Sequence, residues 1–441
     1  MRKTTVVVAA VAGAALLAGA AVSAPIAFAG AGTPSAALAL ARQALPAGDG
    51  WASDTTGTTG GALADADHVF TVRTRDELAA AVAGDTPKIV FVSGGIDANA
   101  GHTCADYADP AYSLDAFLAA YDPAVWGRAT KPTGPLEDAR ARSAKNQGAR
   151  VNIKVGGNTT IVGLGGSKIT GANLLVEKVD NVILRNLRLE DAHDCFPSWD
   201  PTDGALGNWN SLYDTVTVTG STHVWADHNN FSDGNNTDET QPLYFGRPYQ
   251  VHDGALDVIR ASDLVTISWN NFFDHDKTML IGSSNTVGAD VGKLRVTIHH
   301  NRFANVGQRV PRVRFGQVDV YSNYFYATDE DSYSYSWGVG VYASLYAENN
   351  FLLRSADIPL SSVVYDWRGT APGTITEVGT ATRIGTGPVS AVSLVDEYNA
   401  GHDPDLTAGT WVPTLRAAAP DPATAVPALV SAKAGAGKLG F

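Results

Sequence analysis

An all-β solenoid, a coil of short strands stacked along one axis, is the fold this sequence predicts, and two observations predict it. First, β-rich segments recur: His223-Val-Trp-Ala-Asp-His-Asn-Asn-Phe, Leu264-Val-Thr-Ile-Ser-Trp-Asn-Asn-Phe, Arg295-Val-Thr-Ile-His-His-Asn-Arg-Phe, Val318-Asp-Val-Tyr-Ser-Asn-Tyr-Phe and Ser344-Leu-Tyr-Ala-Glu-Asn-Asn-Phe. Second, aligned on the Asn before the aromatic, Asn230, Asn271, Asn301, Asn323 and Asn350 follow at intervals of 41, 30, 22 and 27 residues. An irregular period with a floor near 22 suits coils of short strands, some of which carry loops. Stacked at the ~4.8 Å strand spacing, their alternate Val, Ile and Phe side chains line one continuous core.

The repeated Asn is read as a stack of amides at one corner of successive coils, satisfying turn backbone groups and one another. Function belongs on the loops that lengthen particular coils, and the interval of 41 carries the densest set of candidates. Trp225 and His228 sit within the repeat and are read as core and turn residues.

Upstream the character differs. Arg2 and Lys3 precede an uncharged apolar run from Val6 to Val22, and small residues cluster at Ala27, Ala29 and Gly30, the pattern of a secretory signal peptide spanning 1–29. Residues 30–66, rich in Ala, Gly, Ser and Thr, read as a loosely packed N-terminal arm with one short helix near Ala36 to Leu45. Residues 67–441 are expected to form one domain, monomeric because no coiled-coil heptad or appended module is visible. Within it, Thr74 to Ala83 reads as a capped helix, Lys88 to Val92 as a strand, and residues 98–148 as helix and loop.

The formal charge of −13 becomes −15 once Arg2 and Lys3 leave with the signal, which speaks against nucleic acid or an anionic membrane as partner. A polyanionic polysaccharide would need local cations to override that field. Lys277, Arg309, Arg312 and Arg314 supply such a cluster, and in a strand Arg312 and Arg314 point to one face. The bland reading is a solvated surface stripe. Asp214, Asp253 and Asp257 are the acidic counterpart: hard oxygen donors able to converge on one cation, although any one of them alone reads as a turn cap. Cys104 and Cys195 allow one disulfide in an oxidising compartment, and no Cys or His cluster has zinc spacing.

Across Trp199 to Gly316 consecutive blocks resemble the pectate lyases of polysaccharide lyase family 1. They are Trp199-Asp-Pro-Thr-Asp-Gly, Asn208-Trp-Asn-Ser-Leu-Tyr-Asp, Val224-Trp-Ala-Asp-His, His252-Asp-Gly-Ala-Leu-Asp, His275-Asp-Lys and Arg309-Val-Pro-Arg-Val-Arg-Phe-Gly. The resemblance implies a right-handed parallel β-helix with short N-terminal helices and long functional loops. It also implies a secreted enzyme that cleaves polygalacturonate of the plant cell wall by β-elimination. It assigns Arg309 as catalytic base, Lys277 and Arg314 to substrate carboxylates, and Asp214, Asp253 and Asp257 to Ca²⁺. A guanidinium ordinarily stays protonated, so the role of Arg309 rests on the resemblance. Leu212 stands where related lyases commonly carry an acid, which leaves the number of metal ions open; Asp203 is a candidate for a secondary metal site.

Three rivals follow. A calcium-independent pectin lyase acting on methyl-esterified pectin tends to replace a calcium ligand, whereas all three Asp positions are intact. A polygalacturonase needs convergent acids, and only its Asn236-Thr237-Asp238 tripeptide is found here. A non-catalytic polysaccharide-binding β-helix would need neither cation cluster nor acid trio.

Overall fold

Val182, Val224, Val265, Val296, Val318 and Leu345 stand in register on six successive parallel strands, all buried. That column is one wall of a right-handed parallel β-helix, seen in a computed structural model that describes residues 35–440. The signal segment assigned to 1–29 lies outside the described residues.

Each coil contributes strands to three parallel sheets. The first runs from Val69–Val72 to Thr374–Val378, the second from Arg188–Glu190 to Ala381–Ile384, and the third from Asn152–Lys154 to Val364–Trp367. The long strands Lys88–Asp97 and Thr159–Thr170 bend from the first sheet into the second, with a register shift between Ser93 and Gly95. On the second sheet Phe231, Phe272, Phe303 and Phe325 stack in the core with successive ring centroids 4.5, 5.1 and 5.3 Å apart, close to the coil spacing.

The corner between the first and second sheets holds the amide stack, one residue away from where two coils were expected to place it. Asn229, Asn270, Asn301, Asn323 and Asn350 are the fully buried members. The backbone N–H and Nδ2 of each donate to Oδ1 of the next: 2.8 and 3.0 Å from Asn229 to Asn270, and 3.0 and 3.1 Å from Asn323 to Asn350. Asn230 and Asn271 instead begin the following strands and pair with each other. The reason is conformational. His228, Trp269, His300, Ser322 and Asn349, each just before a stacked Asn, have φ between 51° and 56°, a left-handed kink that turns the chain and takes the next N–H out of the strand ladder. The stacked Oδ1 receives that donor, and Leu187 N–H begins the series by donating to Asn229 at 3.0 Å.

Three helices, Cys104–Tyr107, Leu114–Tyr121 and Pro135–Val151, occupy the region expected to be helix and loop. The last has Pro at its start, Glu137 and Asp138 in its first turn and Arg150 in its last, charges that match the helix dipole. A disulfide between Cys104 and Cys195 ties the helical region to the coils. Arg75–Ala81 is capped by Thr74 in a reciprocal box with Glu77, as expected.

The N-terminal arm is not loosely packed. Beyond the helix Ser35–Ala41 it crosses the outer face of the first sheet, where Thr160, Thr266 and Thr297 hydroxyls accept from the backbone of Gly61, Ala52 and Trp51 at 2.8, 3.1 and 3.0 Å. In register the outward column reads Thr160, Ile183, Trp225, Thr266, Thr297, and between the Thr contacts Leu45 and Ala52 of the arm pack on Ile183 and Trp225. Trp225, expected in the core, instead faces outward: it is buried under the arm beside Leu45 and Ala52, with Nε1 donating to Ser268 Oγ at 2.9 Å, while His228 stacks on Trp269 at the turn.

Asn301→Ala strips two donors and an acceptor from a dry corner, so a loss of about 2–4 kcal/mol is expected from the groups left unsatisfied. Asn271→Ala, at a partly exposed strand position, should cost about 1 kcal/mol or less. Chemical denaturation of both variants checks the assignment.

Candidate active site

One edge of the third sheet carries the charged residues on successive coils. Thr215 N–H bonds to the Gly254 carbonyl (2.9 Å), Gly254 pairs with Lys277, and Thr278 and Met279 N–H bond to the carbonyls of Gln308 and Arg309 (3.0 and 2.8 Å). Parallel stacking therefore sets Asp214, Asp253, Lys277 and Arg309 one coil above another. Asp257 lies beside them on the third sheet, in register with Thr217, and points outward because its neighbours Leu256 and Val258 point into the core.

The acid trio is brought together. Asp214 Oδ2 accepts from Thr217 Oγ1 (2.6 Å) and its Oδ1 from Gly254 N–H (2.9 Å); Asp257 Oδ1 accepts from Leu280 N–H (2.9 Å). Burial, then the charge of Asp253, pushes the Asp214 carboxyl up to about 7. Asp257 is raised by burial and then by Asp214 and Asp253. Three hard-oxygen donors, two of them buried and pushed upward by their acidic neighbours, form a set that fits a calcium ion. Their donor atoms do not all lie within 4.8 Å of one another, unlike those of two other groups among the described residues. Neither of those is an open metal site: Cys104 and Cys195 of one are disulfide-bonded, and in the other Asn236 Nδ2 bridges Asp191 and His193 at 3.0 and 2.8 Å.

The trio lies on the floor of a groove of about 880 Å³, walled by the helix Pro135–Val151. Leu212, 57% exposed, lines the same groove at the position where an acid was expected. Asp203 is not brought to the trio; it sits exposed in the loop joining Ser198–Asp200 to Asn208–Asn210, away from the groove lining.

The cations Lys277, Arg309, Arg312 and Arg314 lie on the coils that follow, outside the lining of that groove. Lys277 Nζ is 3.6 Å from Asp253 Oδ1. Arg309 is half-buried with φ 60°, and its buried Nε has no hydrogen-bond partner. Arg314 donates from Nε to Asn285 Oδ1 (2.6 Å) and from Nη1 to the Gly282 carbonyl (2.8 Å). Burial, then Arg312 and Arg309, lowers the Arg314 guanidinium to about 10. Arg312 faces the same side as Arg314, as the strand period requires, but it stacks 3.8 Å over Trp367. Sequence reasoning missed Thr217, Asn285 and Trp367, the partners that orient these groups, because no local spacing links them to the residues they hold. It also passed over His252 and His275, which open two of the quoted blocks.

A family described as pectate lyase matches residues 8–130 and 133–439. The chain is 48% identical over 341 residues to a pectate lyase of Bacillus subtilis (strain 168), covering 74% of this chain and 80% of that one. It is 38% identical over 323 residues to pectate lyase E of Dickeya chrysanthemi, covering 72% and 70%. A thermostable pectate lyase superimposes with a TM-score of 0.87 at 45% identity, covering 90% of this chain and 99% of that one. A pectate lyase bound to a hexasaccharide superimposes with a TM-score of 0.84 at 42% identity, with the same coverage.

A Cβ on Gly254 would fall 2.4 Å from Asp257 Oδ1 and 2.8 Å from Asp214 Oδ1. Gly254→Ala should thus splay the trio while the coils stay folded. The expected outcome is an unchanged circular dichroism spectrum with turnover reduced about tenfold or more, equivalent to about 1.4 kcal/mol of transition-state stabilisation.

Proposed function

The chain belongs to the pectate lyase family, and from that premise we propose that it cleaves polygalacturonate outside the cell by a calcium-dependent β-elimination with Arg309 as base. It is a lyase acting on polysaccharides. The observation that carries the finer reading is the stacking of Asp214, Asp253, Lys277 and Arg309 on consecutive coils beside Asp257.

Asp214, Asp253 and Asp257 would hold the calcium ion. That ion, when bound, neutralises the substrate C6 carboxylate and so favours the charge that develops when the C5 proton leaves. Lys277 and Arg314 pair with uronate carboxylates; the Nε and Nη1 bonds of Arg314 fix its plane and leave Nη2 for the substrate. Arg309 accepts the C5 proton, the electron pair forms the 4,5 double bond, and the C4–O bond breaks to release the leaving chain. No water is consumed. To accept the C5 proton Arg309 acts as the neutral guanidine, and its buried Nε has no hydrogen-bond partner.

Asp203 is retained as a secondary metal ligand only for cations that arrive with substrate. Export is supported by the signal pattern and by the disulfide, a bond of oxidising compartments. No helix among the described residues is long and apolar enough to cross a membrane. The protein is read as a monomer with no nucleic-acid partner.

The test is the rise in ultraviolet absorbance from the unsaturated uronate on polygalacturonate. Arg309→Ala should lower kcat by about 10²–10⁴-fold with a small change in KM, the loss typical of a removed base. Excess chelator should abolish the signal and added calcium restore it. Growth that survives the chelator would favour pectin lyase chemistry, and reducing ends without absorbance would mean hydrolysis.

A further inference from the structure

Lys277, whose Nζ is 3.6 Å from Asp253 Oδ1 across adjacent coils, is also held from behind by buried side chains. His275, two residues before Lys277, has Nδ1 2.6 Å from Asp233 Oδ1 and Nε2 3.1 Å from the Lys277 carbonyl oxygen. The carbonyl accepts from Nε2, and the Asp233 carboxylate beside Nδ1 favours the doubly protonated ring. Burial works against that charge, but Asp233 outweighs it and holds the proton above the ordinary imidazole value.

The second oxygen of Asp233 faces His252 Nδ1 at 3.5 Å, and His252 Nε2 lies 2.8 Å from Asp191 Oδ1. His252 directly precedes Asp253. The 3.5 Å approach to His252 Nδ1 is not a hydrogen bond, since that buried atom has no hydrogen-bond partner, so the bonded brace runs from Asp233 through His275 to the Lys277 carbonyl. The side chains of His252, His275 and Asp233 are 2%, 3% and 4% exposed.

Buried ionic groups of this kind are seldom the most stabilising choice for a core, and apolar replacements often do as well, so their use here calls for a geometric reason. The hydrogen bond to the Lys277 carbonyl supplies one. It fixes the peptide plane after Lys277, and with it the direction in which the Lys277 stem leaves the strand, where a long flexible side chain would otherwise spread over many rotamers.

We propose that His275 and Asp233 are positioning residues: a buried brace that sets where Lys277 presents its ammonium to a uronate carboxylate beside Asp253. This rests on the lyase reading above. Neither residue touches substrate; both act through Lys277.

The experiment compares His275→Gln, Asp233→Asn, Lys277→Ala and the double variant His275→Gln/Lys277→Ala, with calcium and polygalacturonate, reading kcat, KM and thermal unfolding. His275→Gln and Asp233→Asn should each lower kcat/KM about 10–100-fold, the usual effect of losing a group that orients a functional residue. The double variant should be no slower than Lys277→Ala alone, because the brace has nothing left to position. Variants that lose stability but keep kcat and KM, or losses that multiply in the double variant, would overturn the proposal. If His275→Gln fails to fold, Asp233→Asn, which keeps shape and one hydrogen bond, decides the matter alone. A wild type that forms no unsaturated product would overturn the lyase reading and this one with it, a failure distinguishable because it appears without any substitution.

Discussion

Two buried carboxylates, Asp214 and Asp257, lie beside a third, Asp253, and the charges on the neighbouring coils are arranged around that fact. Burial disfavours the ionised forms of Asp214 and Asp257 and their acidic neighbours add to the penalty, so both carboxyls are pushed well above the ordinary range. Such a cluster persists only where the surrounding frame holds it. Parallel coils provide that frame. Thr215 N–H is tied to Gly254, and Gly254 is paired with Lys277, so the spacing between acids is inherited from the strand ladder rather than from flexible loops. Gly254 leaves the space between Asp214 and Asp257 open, since a side chain there would collide with both.

The cations answer the acids at short range in a molecule whose overall charge is −13. The charge of Arg309 acts on both Asp214 and Asp257, lowering each against the pull of burial. Arg312 is occupied by Trp367 and Arg314 by Asn285 and Gly282, so their guanidinium planes are oriented before any ligand arrives. Orientation in advance reduces the entropy lost on binding a uronate chain. A net-acidic protein can thus receive a polyanion, because the field along the groove is local.

Much of this was legible in the sequence, and the exceptions have physical causes. The solenoid could be read because the core column and the Asn stack both repeat with the coil. The stack was misplaced by one residue in two coils because Asn229-Asn230 and Asn270-Asn271 are doublets. The Asn lying two residues before Phe231, Phe272, Phe303 and Phe325 in all four coils marks the correct position. The trio and the cation cluster were visible because coil stacking converts residues 20 to 40 apart in sequence into neighbours. Thr217, Asn285 and the His275–Asp233 pair were not, because their value depends on which atom faces which, and that is settled only by the bend of each loop. The arm before residue 67 misled for another reason: its small apolar residues Ala37, Ala41, Leu45, Ala52 and Ala64 carry no strong pattern, and what holds them is the outer face of the first sheet, with its Thr hydroxyls and its Ile183 and Trp225.

The central claim is that the acid trio is a calcium site whose charge the empty protein bears at a cost in stability. Thermal unfolding of chelator-treated protein, with and without calcium, alongside Asp257→Asn, tests it most directly. The account predicts that calcium at about 100 times its dissociation constant stabilises the wild type by about 2.7 kcal/mol. It also predicts that Asp257→Asn unfolds at a higher temperature than wild type without calcium and gains little when calcium is added. A wild type whose unfolding is indifferent to calcium, or an Asp257→Asn variant stabilised by calcium as much as the wild type, would contradict it.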